Sequence, residues 1–388
     1  MRFHAVRVDW SWDDISTDRR RPVDAFGLSS TESIFRPAEP DGPRTLRVLG
    51  ARMSERPFAR VDADDLVSCV ACGLCLPYCP TFRTTGIDAH SPRGRIALIA
   101  AVREGTLELD AGVTEALDTC VQCMGCLPAC PSGVRYDRII GPAVEELVSR
   151  RPTKRLRRTM SLLPLGRPRL LGLLTLLAAL GQRLRLVPRR LSLPRLPILR
   201  QRRRPGGGLD ASDTVVVFTG CVMDAWYSNV HRATHDVLTA MGFSVTFSDS
   251  SLCCGALHSH AGLSRRANKL ECRTKENLAS KTIVVNSAGC GAHLQDVFDA
   301  EGKTDVVDVM AFIERNIDRL LNICPPSPEA VRERVVVHDA CHLRNLQKTH
   351  LATHRVLVNH YVPIAIPDEG LCCGAGGAFA LEHPAEAR

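Results

Sequence analysis

Aromatic side chains are scarce in this 388-residue chain, at 5% of its residues. Long apolar runs are missing as well. The longest, "LLGLLTLLAALG" at Leu170–Gly181, is well short of the roughly 20 residues that a spanning helix needs. The opening "MRFHAVRVDWSWDD" has no apolar stretch and soon turns acidic, so it does not read as a secretory leader. A reducing, cytoplasmic compartment is therefore expected. No strand–GxGxxG–helix unit is present, which speaks against a flavin or nicotinamide site on this chain. The lone glycine-rich turn "GAGGAFA" after Cys373 is too weak a signal for a phosphate loop. Neither a Ser–His–Asp set nor a pair of catalytic carboxylates stands out, and no catalytic residue is assigned.

Acidic residues are absent from one whole segment. Between Leu147 and Leu209 there are 17 Lys and Arg and no Asp or Glu, which leaves 33 basic against 42 acidic residues elsewhere. The net charge of +8 thus belongs to that segment. Arg-flanked, Leu-rich helices can lie in the headgroup plane of an anionic membrane. The same pattern also suits a helix packed on the protein's own surface, followed by a Pro-broken linker ending at Gly206–Gly208. Nucleic acid fits poorly, because the stacking aromatics it uses are not there.

What the chain has in excess is cysteine, 17 in all. In a reducing compartment, clustered cysteines point to metal or redox chemistry. Eight of them form two near-copies of one phrase, "CVACGLCLPYCP" at 69–80 and "CVQCMGCLPACP" at 120–131. C-x2-C-x2-C-x3-C-P is the bacterial signature of a [4Fe–4S] site, in which the fourth cysteine serves the other cluster. The expected sets are Cys69, Cys72, Cys75 and Cys130 for one cluster, and Cys120, Cys123, Cys126 and Cys79 for the second. Zinc also takes C-x2-C pairs, but two interlocked runs with C-P endings suit clusters better.

The organisation expected is α+β and multidomain. Residues 1–60 read as a flexible extension, with a helical entry to the first run opening at Met53. Residues 61–148 form a helical two-cluster ferredoxin unit. Within it "SPRGRIALIAAVREG" is a helix capped by Ser91 with Pro92 at its first position, and "GVTEALDTC" is a shorter one. Residues 149–210 are the basic Leu/Arg-rich linker or membrane-surface helix.

Strands then alternate with helices, which argues for a parallel α/β sheet. "TVVVFTGC" and "TIVVNSAGC" read as strands ending at Cys221 and Cys290, and "RVVVHDAC" as one ending at Cys341. "LCCGA" occurs at Leu252–Ala256 and again at Leu371–Ala375. This register marks a duplicated unit, 211–325 and 326–388, whose second copy is incomplete. The first copy offers Cys221, Cys253, Cys254 and Cys290, with His293 completing C-x2-H. The second offers only Cys341, Cys372 and Cys373. Each set is a candidate metal site, for a further Fe–S cluster or zinc. Cys272 and Cys324 are read as unremarkable, and His258 and His260 as surface residues.

From about Asp62 onward the chain resembles the iron–sulfur subunit of bacterial glycolate oxidase. The eight ferredoxin cysteines, the two CCG phrases, "HSPRGRIALI" and "CPSGVRY" carry the likeness. Related families include iron–sulfur subunits of lactate utilisation systems and of anaerobic glycerol-3-phosphate dehydrogenase, and the CCG subunit of heterodisulfide reductase. In the last branch each CCG unit ends in C-x2-C and holds a noncubane cluster; here Cys290 and His293 stand instead.

The resemblance implies an electron-transfer subunit. A flavin-containing partner would oxidise a small 2-hydroxy acid, and electrons would pass on toward quinone or another carrier. The basic segment would dock the complex on the cytoplasmic face of the membrane. The rival reading is a disulfide-reducing enzyme of the heterodisulfide reductase kind. A further expectation is that the sequence is a shortened form of a longer chain, because the second copy stops 14 residues after Gly374.

Overall fold

The computed structural model describes residues 56–187, 194–198, 213–278, 282–299, 304–364, 366, 371–377, 379–383 and 387. All of them belong to one compact unit, Ala51–Arg388. The expected extension up to residue 55 and the Gly206–Gly208 linker end lie outside the described residues.

Five helices build the first part: α1 (Ala63–Val67), α2 (Pro80–Thr85), α3 (Pro92–Glu104), α4 (Ala111–Asp118) and α5 (Tyr136–Ser149). Of the helical entry expected from Met53, residues 53–55 lie outside the described residues, and from Arg56 onward helix begins only at α1. Pro57 disfavours helix in the residue before it, and Phe58 sits at φ 58°, in the left-handed region. That turn buries the Phe58 ring completely, while its N–H donates to Glu146 Oε2 at 2.8 Å. Ser91 caps α3 as expected, its Oγ accepting from Gly94 N at 3.0 Å. Ile96, Ile99 and Val102 then fall on one face and meet Val113, Leu117, Ile139, Ile140 and Leu147. Each such side chain contributes about 1.5–3 kcal/mol on burial. The two cysteine runs are loops draped over this helical core.

The basic segment supplies α6 (Pro152–Ser161) and α7 (Pro168–Arg183). α6 is tied inward. Asp118 at the end of α4 pairs with Lys154 at 2.5 Å and Arg151 at 3.4 Å, and Arg158 forks onto Glu382 at 3.1 and 2.6 Å. α7 is split by face. Leu171, Thr175 and Ala179 are buried, with Thr175 accepting from Trp226 Nε1 at 3.0 Å, whereas Leu173, Leu174, Leu177 and Leu180 are exposed. No helix among the described residues is long and apolar enough to cross a membrane.

The remainder alternates strands and helices. β1 (Thr214–Phe218), α8 (Val222–Trp226), α9 (Ser228–Ala240), β2 (Ser244–Phe247), α10 (Ala256–His260), α11 (Ser264–Asn277), β3 (Thr282–Val285), α12 (Ala288–Asp299), β4 (Asp305–Asp308) and α13 (Val309–Arg315) make the first unit. Its sheet is parallel throughout, in the order β2-β1-β3-β4. Alternation along β1 sends Val215 and Val217 into one core and Phe218 into the other.

After α14 (Ile317–Ile323) come β5 (Glu333–Val336), α15 (Leu351–Leu357), β6 (Tyr361–Ile364) and the short α16 (Phe379–Glu382). β5 and β6 form a separate parallel pair. Ala352 and Val356 of α15 join the core on one face of the larger sheet.

Three strand expectations are shortened. β1 ends at Phe218, before Cys221, and β3 stops at Val285, so Cys290 sits in the first turn of α12. Asn286 leaves the ladder because its side chain is engaged by Thr234 Oγ1 and His231 Nδ1, each at 3.0 Å. β5 ends at Val336, ahead of buried Asp339, which pairs with Arg344 at 2.7 Å and His354 at 3.1 Å.

Candidate functional site

The two cysteine runs share a backbone device. Ala71 (φ 55°) and Gly73 (φ 81°) flank Cys72; Gln122 (φ 56°) and Met124 (φ 58°) flank Cys123. Left-handed residues placed on either side of the middle cysteine turn successive N–H groups to one side, a nest suited to an anion. Three of the four are not glycine, and holding them there costs free energy that a bound group can offset.

One cavity is lined by Cys79, Cys120, Cys123 and Cys126, together with Thr81, Arg95 and Tyr136. It gathers the fourth cysteine of the first run with three of the second, the set expected for the second cluster. Burial pushes the Cys126 thiol well up, and the nearby Cys120, Cys79 and Cys75 push the same way. Cys79 Sγ lies 3.2 Å from Thr81 Oγ1, and Cys120 Sγ 3.5 Å from the buried Tyr136 hydroxyl. Cys69, Cys75 and Cys130 are half-buried against the helical core, and Cys72 is exposed.

The first CCG unit brings its four cysteines together. The crevice beyond β1 and β3, where strand order reverses, is where open α/β sheets bind ligands. Cys221 follows β1, Cys253 and Cys254 follow β2, and Cys290 follows β3. Their sulfurs form two close pairs, Cys221–Cys253 at 3.5 Å and Cys254–Cys290 at 3.2 Å. Hydrogen bonds from Cys221 and Cys254 bring Cys253 down to about 3, and the partners are pushed up. Gly255 (φ 89°) makes the turn that follows; a side chain there would meet the Ala267 carbonyl and Glu271. The Nε2 of His293 is engaged by Glu271 Oε1 at 2.8 Å rather than by a thiol. His258, expected at the surface, is buried, since α10 turns inward against α5 and α11. Cys272 is exposed on α11 and Cys324 half-buried at the end of α14.

In the second unit the Cys372 thiol lies beside those of Cys341 and Cys373, and also beside Cys123 of the second run. These neighbouring thiols hold Cys372 far below the usual thiol range, while the interaction with Cys372, with burial, drives Cys123 and Cys341 up. Around this contact, Asn345 donates to Cys123 O at 2.9 Å and His342 to Gln122 O at 3.0 Å. No group of three His, Cys, Asp or Glu among the described residues is set to hold a single metal ion.

Sequence reasoning missed Arg95, Tyr136 and the meeting of Cys123 with Cys372. For the first two a signal existed, since both lie in the phrases "HSPRGRIALI" and "CPSGVRY".

Cysteine-run loops on a helical core, joined to a parallel α/β unit with thiols at its switch point, define an iron–sulfur electron-transfer protein. The comparisons agree. The 4Fe-4S dicluster domain matches residues 65–134, and the cysteine-rich CCG domain matches 215–295 and 335–388. A protein described as "Probable glycolate oxidase iron-sulfur subunit" from Bacillus subtilis is 30% identical over 83% of this chain and 81% of its own. The "Glycolate oxidase iron-sulfur subunit" of Escherichia coli is 30% identical over 84% of each chain. "Lactate utilization protein A" of Geobacillus thermodenitrificans is 25% identical over 43% of this chain and 74% of its own. This chain belongs to the family of glycolate oxidase iron–sulfur subunits, and is an oxidoreductase subunit. No solved structure matches it.

Proposed function

We propose that this chain is the iron–sulfur subunit of a complex that oxidises glycolate or a similar 2-hydroxy acid. A flavin-containing partner removes the electrons from the substrate, and this subunit carries them toward quinone or another carrier. When bound, [4Fe–4S] clusters supply one-electron carriers. The protein's part is to hold them: Cys69, Cys72, Cys75 and Cys130 at one site, Cys79, Cys120, Cys123 and Cys126 at the other. The observation that carries this reading is the cavity lined by Cys79 with the second run's three cysteines. Cys221, Cys253, Cys254 and Cys290 at one site, and Cys341, Cys372 and Cys373 at another, would be ligands for a further Fe–S cluster. A single zinc ion has less support, since no three of these groups, all among the described residues, are set to hold one metal ion.

Anaerobic reconstitution of a variant lacking the CCG cysteines should give about eight iron atoms per chain, from two four-iron clusters. The added substitution Cys79→Ser should remove the second cluster and spare the first, as seen by paramagnetic resonance of the reduced protein. Loss of the first cluster instead, or about one zinc per run with no iron, would sink the assignment.

The exposed face of α7 supports docking on an anionic membrane surface. Leu173, Leu174, Leu177 and Leu180 lie between the exposed Arg167, Arg169, Arg183 and Arg185. Each basic residue near such a surface contributes about 1 kcal/mol. The protein should co-sediment with phosphatidylserine vesicles at low salt and release as screening grows. Leu173→Glu with Leu177→Glu should abolish this; unchanged co-sedimentation would count against the idea.

A further inference from the structure

α3 reaches both cysteine runs with two arginines, Arg93 and Arg95, and treats them differently. Arg95 is 1% exposed, and it is the largest fully buried side chain described. Its Nε donates to Ala116 O at 2.6 Å, and its Nη2 to Thr81 Oγ1 at 2.9 Å and Thr119 Oγ1 at 3.3 Å. Nη1 points at Cys79 Sγ, 3.9 Å away. No Asp or Glu among the described residues pairs with it. A guanidinium does not give up its proton in proteins, and an unpaired buried charge costs several kcal/mol. All its oxygen partners are neutral. Three groups beside it can carry negative charge: the sulfurs of Cys120 and Cys79 in the second site, and the Tyr136 phenol, which burial keeps protonated.

Arg93 faces the first run under other conditions. Its Nη1 donates to Ala71 O at 3.1 Å, and its Nε is shared by both oxygens of Asp88 at 3.0 and 3.2 Å. The Asp88 carboxylate cancels its charge, and solvent screens what remains.

We propose that Arg95 is the fixed counter-charge that makes the second site the more oxidising of the two, so that electrons entering at the first run move on to the second. This rests on the ligand assignment above. One electron leaves the first site and enters the second; no bond is made or broken and no proton is taken up. Each reduction adds one negative charge, and a buried cation beside the site favours that state far more than a screened one at the surface does. Arg95 is a positioning and charge-setting residue, acting through the thiolates.

The test is a potentiometric titration of the chain reconstituted anaerobically, followed by paramagnetic resonance, for the wild type, Arg95→Gln, Arg95→Lys and Arg93→Gln. In Arg95→Gln the constant for electron transfer from first to second site should fall at least tenfold, about 59 mV for one electron. Arg95→Lys should retain most of the wild-type value, and Arg93→Gln should leave the second site's potential unchanged. If Arg95→Gln cannot assemble the second cluster but Arg95→Lys can, charge is again the requirement. Full iron content with unmoved potentials in Arg95→Gln overturns the inference alone. So does failure of Arg95→Lys to assemble the second cluster, which would mean that shape decides. A wild type that holds only one four-iron cluster across the eight ferredoxin cysteines overturns the ligand assignment, and this inference with it.

Discussion

Arg158 shows how a residue from the basic segment is used inside the molecule. It is 6% exposed, forks onto Glu382 and donates to Ala261 O at 3.1 Å, so it joins α6, the end of α10 and the last described helix. Burial pushes the Glu382 carboxyl up, but Arg158, with Lys154 and Arg157, outweighs this and holds it below the usual range. A carboxylate lowered on folding contributes stability that is present above its unfolded value of about 4.3. That contribution is lost as pH falls through the lowered folded value. The protection of amides around residues 379–383, measured relative to their intrinsic exchange rates at each pH, should therefore fall on acidification below about pH 4.3. Arg158→Met should cost roughly 3–5 kcal/mol at neutral pH, because it strands Glu382 half-buried without its partner. A loss under about 1 kcal/mol would show the pair to be no better than a surface bridge. Nothing in the sequence marked Arg158 off from its neighbours. Its partner lies 224 positions away, and only packing separates it from the solvated arginines.

At the scale of elements, α3 was legible, and so was the position of its cap, since Ser91, Pro92 and the Ile96–Ile99 spacing are local signals. What could not be read was the purpose of the five letters "SPRGR". Ser91 caps, Pro92 starts the helix, Arg93 meets the first run, and Arg95 enters the second site. Gly94 lets the helix lie against the preceding turn: a Cβ there would stand 2.0 Å from the Asp88 carbonyl oxygen. Gly94→Ala must therefore push α3 off Asp88 and drag both arginines with it. Reconstitution of that variant should yield less iron at the second site, together with a loss of stability of about 1–3 kcal/mol, the usual cost of overpacking. Wild-type iron content and melting temperature would contradict this. The strand ends were misjudged for a related reason. Asn286 and Asp339 carry polar side chains engaged by partners off the sheet, for Asn286 more than fifty positions away, and those bonds compete with continuing the ladders.

Across the whole molecule the cysteine motifs were visible because ligand spacing is a local property, and strand–helix alternation gave the parallel sheet. The packing of one part on another was not visible. The second run lies under the CCG units: Gln122 donates to His260 O at 3.0 Å, Asn345 and His342 grip the loop, and a side chain at Gly376 would run into Val121. The first run is open. Around exposed Cys72, Val70 is 68% exposed and Leu74 55%. The two proposed cluster sites therefore differ in their vulnerability to air. Dioxygen and peroxide reach the first site from bulk solvent, but meet protein on the way to the second. A reconstituted sample of the variant lacking the CCG cysteines, exposed briefly to air, should pass through a plateau near four of its roughly eight iron atoms. The surviving resonance should be that of the second site. Loss of both signals at one rate would mean that the covering units give no shelter. On the proposed reading, in which electrons enter at the first run, oxidative damage begins at the end of the subunit that stays open to its donor.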